Sequence, residues 1–337
     1  MNNNQLLSMY FNQLIYEDPD TNKKIKLLTS IHHIVSKNSK CASENTTSND
    51  IILSQGVAVN TKLAGDCFTD FQRTFAFMKG TYLCVKEKID QGIQPVNILY
   101  VGTGPYLTII LPLLFLLHPG MITITTLEIN ENSYSCSKQL IKKLKKENYF
   151  KSVLLTNALC FKTTDRFDLI ISETMDKALT REPQVAIFAH LINLLKPQGH
   201  LIPESININL VASSINLEKN VAYNCYTDTR TKEFNDQHRQ FIDNILKADK
   251  SFFQQINTAS QKIWLKTVST SQIKPGLNEL LLLTEVVIFN TIRLIEDESW
   301  LTKKYTCYSF TEQSRGKPHN AFYLNTQTPR IKLIPII

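Results

Sequence analysis

Ile98-Leu99-Tyr100-Val101-Gly102-Thr103-Gly104 is the stretch that decides the fold: a short apolar run ends in a Gly-x-Gly turn. Thr125-Thr126-Leu127-Glu128 follows about one βα unit later. This is the layout of a parallel sheet that holds a nucleoside-like ligand. The glycines let the backbone approach the ligand, and the later acid accepts hydrogen bonds from ribose hydroxyls. A Gly-x-Gly turn by itself needs only positive φ. Its coupling to Glu128 is what points to a cofactor site.

Working outward, residues 96 to 203 alternate strand and helix patterns. Strands are expected at 97–101, 121–128, 152–156, 167–172 and 199–203, with helices near 106–117, 131–147 and 183–195. Lys196-Pro197-Gln198-Gly199 reads as the turn opening the last strand. Upstream, apolar residues from Lys62 to Ile89 recur near helical period, predicting one long amphipathic helix. Residues 1 to about 50 are polar with short helical patches, and Ser36 to Asn49 reads as a mobile loop. After Pro203 the character changes. Ile206 to Val211, Leu280 to Leu294 and Tyr305 to Phe310 have strand-like runs, while about 217–262 is more polar and partly helical. The expected fold class is α/β: an N-terminal helical region over 1–92, a Rossmann-like domain with a parallel-rich sheet over 93–203, and a β-rich C-terminal domain over 204–337 with a helical insertion about 217–262.

Composition sets bounds on this reading. The chain has 337 residues, 43% of them hydrophobic, so it can bury a proper core. Its net charge of +7 comes from 37 basic and 30 acidic residues spread along the chain. The tightest basic run, Lys142-Lys143-Leu144-Lys145-Lys146, reads as the solvated face of an amphipathic helix rather than a nucleic-acid patch. Seven cysteines form no C-x-x-C pair and no metal-ligand spacing with histidine, which reads as reduced thiols in a cytoplasmic protein. The start Met1-Asn2-Asn3-Asn4 lacks a signal-peptide pattern, and the greasiest run, Leu107 to Leu117, is about half the length needed to span a bilayer. No membrane segment is expected.

Two cofactor classes compete for a glycine turn with a downstream acid: nicotinamide dinucleotides and S-adenosyl-L-methionine. A dinucleotide needs a third small residue so that the helix N-terminus can approach its pyrophosphate. Gly102-Thr103-Gly104-Pro105-Tyr106-Leu107 has Leu there. A ligand without phosphate has no such need. Asp168-Leu169-Ile170-Ile171-Ser172-Glu173 then places a carboxylate at the carboxyl edge of the sheet, which favours S-adenosylmethionine.

Phe167 to Met175, then Arg181-Glu182, then Leu195 to Pro203, resembles the protein arginine methyltransferase family of class I S-adenosylmethionine-dependent methyltransferases. In that family two glutamates nine residues apart grip the substrate guanidinium; Glu173 and Glu182 hold that spacing. Asp70-Phe71-Gln72-Arg73-Thr74 matches the family's Asp-x-x-Arg-Thr segment. The resemblance covers about residues 66 to 210. It implies that Glu173 and Glu182 are catalytic. It further implies that Arg73, Gly102, Thr103, Gly104, Glu128, Asn157, Ala158, Leu159 and Glu173 hold the cofactor, with Arg73 on its carboxylate. Asp70, Met175 and His319 fall on the acceptor side, Pro318-His319-Asn320 being a faint analogue of the family's Thr-His-Trp loop. It also implies a barrel-like C-terminal domain and a homodimer, with the 217–262 insertion as the contact arm. The departures lie mainly on the acceptor side. Thr174 and Asp176 stand where the family has Trp and Gly, Cys67-Phe68 replaces Met-Leu, and Cys160 replaces the acid near adenine.

The expected activity is therefore N-methyl transfer to an amine- or guanidinium-bearing protein, peptide or metabolite. Two rivals stay open. Gly102-Thr103-Gly104-Pro105 also resembles nicotianamine-synthase-like enzymes, which transfer the aminobutyryl arm of the same cofactor. The other rival is a non-catalytic interaction protein retaining the fold.

Overall fold

The computed structural model describes residues 1–39, 49–216, 218, 238–257, 259–311 and 314–336. Of the expected mobile loop, Ser36 to Ser39 are helical instead and residues 40–48 fall outside the described residues, as does much of the expected helical insertion. The N-terminal region is more ordered than its polarity suggests. Helix α1 (Asn3–Tyr16) starts at a capping box on Asn2 and buries Leu7, Phe11, Leu14 and Ile15. Helix α2 (Thr21–Ser39) buries Leu27, Leu28, Ile31 and Val35. Each is one sustained helix because its few apolar residues fall on a single face that packs on the domain behind it.

A small antiparallel hairpin follows, β1 (Ile51–Leu53) and β2 (Gly56–Ala58). The single helix expected from Lys62 to Ile89 is two: α3 (Thr61–Asp66) and α4 (Phe71–Asp90). Asp70 causes the break. Its side chain caps α4 by accepting from the Arg73 N–H, with its own backbone at φ −75, ψ 80, outside helical geometry.

The central sheet follows the sequence pattern closely. Its strands are β3 (Val96–Val101), β4 (Ile122–Glu128), β5 (Phe150–Leu155), β6 (Phe167–Ser172) and β7 (Leu195–Ile202), in the order β5-β4-β3-β6-β7. Every pairing is parallel. The intervening helices are α5 (Leu111–Leu116), α6 (Glu131–Lys143) and α7 (Gln184–Leu191). The Lys196–Gly199 turn lies inside β7 as an irregularity, since pairing jumps from Phe167 with Leu195 to Leu169 with His200.

The chain turns antiparallel at β8 (Ser205–Ser213), followed by β9 (Gln240–Asp249), α8 (Lys250–Gln255), β10 (Lys262–Val268), β11 (Glu279–Phe289), β12 (Ile292–Leu294), β13 (Tyr305–Ser309), β14 (His319–Leu324) and β15 (Arg330–Pro335). One sheet runs β12-β11-β8-β9 with β13 also on β11, and the other runs β10-β14-β15. Within the span 217–262, residues 240–249 are therefore strand and 250–255 helix. The strand forms because β9 pairs along the length of β8. Helix α4 packs on both β3 and β11, so the two units share one hydrophobic core.

Cys67, Cys84, Cys160 and Cys307 are free thiols. Cys136 is disulfide-bonded, so the expectation of wholly reduced cysteines fails there. Among the described residues no helix is long and apolar enough to cross a membrane.

Candidate active site at the carboxyl edge of the sheet

From β3 the chain crosses to β4 and β5 on one side, then returns to β6 on the other. The crevice between the carboxyl ends of β3 and β6 is the switch point where open α/β sheets bind ligands. A cleft opens there, enclosing about 1070 Å³ of empty space with its mouth included, enough for a nucleoside-sized molecule.

Gly102 and Gly104, at the end of β3, have φ of 67 and 57. Gly102 donates its N–H to Leu127 O at 2.9 Å, and a Cβ on it would stand 2.5 Å from Thr174 Cγ2. Only glycine fits between the turn and the strand-end loop. Glu128, at the end of β4, is buried. Its Oε2 accepts from Gly104 N at 2.9 Å and Thr103 Oγ1 at 3.4 Å, and its Oε1 from Asn130 N at 2.8 Å. Burial raises its pKa against those backbone donors. After β5, Thr156 N–H donates to Glu128 O at 2.8 Å, which sets Asn157 and Ala158 on the cleft wall.

Glu173 follows β6, and its Oε2 is paired with the Arg73 guanidinium from the first turn of α4. Its other oxygen is buried with no hydrogen-bond partner. Burial pushes the Glu173 carboxyl up to about 7, with Arg73 pulling it back. Burial, then the Glu173 charge, pushes Glu182 up to about 8. Both glutamates line the cleft with Arg73.

The loop joining them is unusual. Ala178, Leu179 and Arg181 are non-glycine residues with φ of 53, 56 and 66, a conformation that persists only where neighbours impose it. Those neighbours are specific. Thr174 donates its N–H and hydroxyl to Gln184 Oε1, each at 2.9 Å. Ala178 N–H donates to Thr284 Oγ1 at 3.0 Å, and Tyr323 donates its hydroxyl to Leu179 O at 3.4 Å.

Of the residues singled out in the sequence, the cleft gathers Arg73, Gly102, Thr103, Gly104, Glu128, Asn157, Ala158, Glu173 and Glu182. The other four lie off its wall. Leu159 packs against the hydrophobic core and gives its N–H to Asn157 Oδ1 at 2.9 Å. Met175 is buried in the core. Asp70 faces the β-rich unit, where its Oδ2 accepts from Ser299 Oγ at 2.7 Å and Trp300 N at 2.9 Å. His319 is a fully buried strand residue on β14; its Nδ1 donates to Lys317 O at 2.8 Å and its ring meets Tyr308 and Phe310. The acceptor-side placement of these three does not match the observed cleft, because capping, core packing and strand pairing each claim the side chain.

Sequence reading missed Leu53, Ala58 and Val59 of the β1–β2 segment, together with Phe77 of α4, all on the wall. The turn Ser54-Gln55-Gly56 is the available signal, but strands of three residues carry no readable period.

No family model and no curated protein matches the chain. Solved structures do match. An open-conformation structure of Arabidopsis thaliana protein arginine methyltransferase 10 is 15% identical with a TM-score of 0.51, covering 77% of this chain and 86% of that one. The Trypanosoma brucei PRMT1 enzyme–prozyme heterotetrameric complex with AdoHcy is 10% identical with a TM-score of 0.51, covering 79% and 88%. The chain thus has the fold of these proteins: a Rossmann-like methyltransferase sheet followed by a β-rich domain.

Proposed function

We propose that the protein is an S-adenosylmethionine-dependent N-methyltransferase whose acceptor carries a guanidinium, as in an arginine-containing protein or peptide. The observation that carries this reading is the arrangement of Glu173 and Glu182 on one cleft wall, with a guanidinium, that of Arg73, already resting on Glu173. The likeness to arginine methyltransferase structures, one of them a complex with AdoHcy, supports the same reading.

The residues present fit the cofactor. The Gly102 turn leaves room that a Cβ would fill, and Glu128, at the cleft wall, is the acid that would face the ribose hydroxyls. Arg73 engages Glu173 through one nitrogen, so its remaining donors suit the cofactor carboxylate. Asn157 and Ala158, on the cleft wall, would flank the base. When bound, the cofactor supplies a methyl group activated by a sulfonium.

Glu173 and Glu182 would hold the acceptor guanidinium by charge-assisted bonds, fixing one nitrogen in line with the methyl group. Two close, buried acids resist joint ionisation, and a cationic acceptor removes that penalty. Cleft walls of Leu53, Val59, Phe77 and Ile187 exclude water. The nitrogen that takes the methyl group, as the methyl–sulfur bond gives its electron pair to sulfur, would shed a proton, and an ionised Glu173 or Glu182 would accept it.

The test is incubation with labelled cofactor and a panel of arginine peptides, free amino acids and cell extract, with products identified by mass. Methylated guanidine and S-adenosylhomocysteine are expected. Methylthioadenosine would mean aminobutyryl transfer, and labelling confined to other amines would overturn the guanidinium assignment.

A further inference from the structure

We infer that the β1–β2 hairpin is a positioning element for Glu182, acting through Asp50 and Gly56. This rests on Glu182 facing the acceptor, as proposed above.

The contacts bracket Glu182 on both sides. Val57 N–H donates to Arg181 O at 2.8 Å. The Arg181 guanidinium bonds Asp50 Oδ2 at 2.8 Å, while Asp50 Oδ1 accepts from Asn60 N and Nδ2, each at 2.9 Å. Gly56, at φ 144, lies so close that a Cβ there would stand 2.9 Å from Arg181 O and Pro183 N and 3.0 Å from Glu182 C. The loop residue before Glu182 is left-handed without being glycine, so something outside the loop has to hold it. On this side that is the hairpin, together with Pro329 O, which accepts from Arg181 N–H at 3.3 Å.

The Glu173 end of the loop is held differently, by Gln184 through Thr174. A disturbance of the hairpin should therefore move Glu182 and spare Glu173. The hairpin also contributes Leu53 and Ala58 to the cleft wall, which links wall geometry to the second glutamate. The charged and titratable groups acting on Glu182 are Glu173, Arg73, Asp176 and Arg181, with Cys67 alongside.

The experiment uses the full chain with Asp50→Ala, Arg181→Ala, their double variant, Asp50→Glu and Gly56→Ala. Three readouts apply: ¹³C carboxyl NMR titration of Glu182 and Glu173, S-adenosylhomocysteine affinity by calorimetry, and acceptor kcat and KM. The Glu182 midpoint should move in Asp50→Ala and Gly56→Ala, and by more than that of Glu173, which is coupled to it; Arg181→Ala also removes a charge acting on Glu182, so its shift counts only beside that of Asp50→Ala. Turnover should fall about tenfold to a hundredfold with nucleoside affinity within about twofold. The double variant should be no worse than either single one, and Asp50→Glu should recover most of the loss. The Asp50 and Arg181 side chains are 30% and 41% exposed, so their variants carry the test if Gly56→Ala does not fold. An unchanged Glu182 midpoint in folded Asp50→Ala would overturn the inference. A wild-type protein that transfers no methyl group, yet whose Glu182 midpoint moves in the variants, would sink the proposed activity and leave the positioning role standing.

Discussion

The Arg73 guanidinium lies against the Glu173 carboxylate, joining the first turn of α4 to the end of β6 across 100 residues of sequence. Their side chains are only 12% and 8% exposed, so neither charge has water to fall back on. Arg73→Ala should cost about 3–5 kcal/mol of stability by stranding the carboxylate. Arg73→Met combined with Glu173→Gln should recover much of that. Urea unfolding of the three proteins measures both, and a cost under about 1 kcal/mol for Arg73→Ala would mean the pair is solvated.

Glu173→Gln keeps the shape of the side chain and removes its charge. Turnover should fall by a factor of about a hundred or more, while S-adenosylhomocysteine binding changes only a few-fold. Stopped assays alongside calorimetry separate the two. Equal losses in both would place Glu173 on the cofactor alone.

Burial pushes Glu173 up to about 7 and Glu182 up to about 8, and the acceptor binding proposed above needs them ionised. Acceptor kcat/KM should therefore rise between about pH 6 and 9. Stability should run the other way. A carboxyl whose pKa is raised on folding keeps its proton in the native state after the unfolded chain has released its own. Its contribution is full below the ordinary carboxylate range and is lost as pH climbs through about 7 to 8. Glu182→Gln should flatten the upper part of that decline in urea midpoints taken across pH, and an unaltered slope would show that other groups set it.

Glu128→Ala removes the acceptor of the Gly104 N–H as well as the proposed ribose partner. Nucleoside affinity should fall by about 1–3 kcal/mol. Calorimetry with S-adenosylhomocysteine reads this directly; an unchanged affinity would put the ribose elsewhere.

Asp70→Ala strips the cap from α4 and the acceptor of Ser299 Oγ and Trp300 N. Loss of about 1–2 kcal/mol in unfolding free energy is expected, with acceptor KM within about twofold. A large rise in acceptor KM at unchanged stability would restore Asp70 to the acceptor side.

The sheet was legible because β3, β4 and β6 are almost wholly buried and rich in apolar and β-branched residues, each ending at a residue that lines the cleft: Gly102, Glu128 and Glu173. Backbone geometry at strand ends follows from local chemistry, so these positions could be placed without the fold. The Glu173–Glu182 pair was legible only through the resemblance to arginine methyltransferases, since Glu182 ends no strand. Helices α1 and α2 were underestimated because their stability comes from one buried stripe in an otherwise polar sequence, and a stripe is favourable only once its partner surface exists.

The amino-acid order alone thus determined the parallel sheet, its glycine turn and the acids at its rim, since each depends on short runs of residues acting on their own backbone. Tertiary structure decided that Arg73 meets Glu173, that Asp70 serves as a cap, that His319 is packed inside a strand, and that a hairpin of two three-residue strands packs against the backbone around Glu182. Each of those outcomes is a competition between distant partners for one side chain or one backbone group, and only the packed chain brings the competitors within reach of each other.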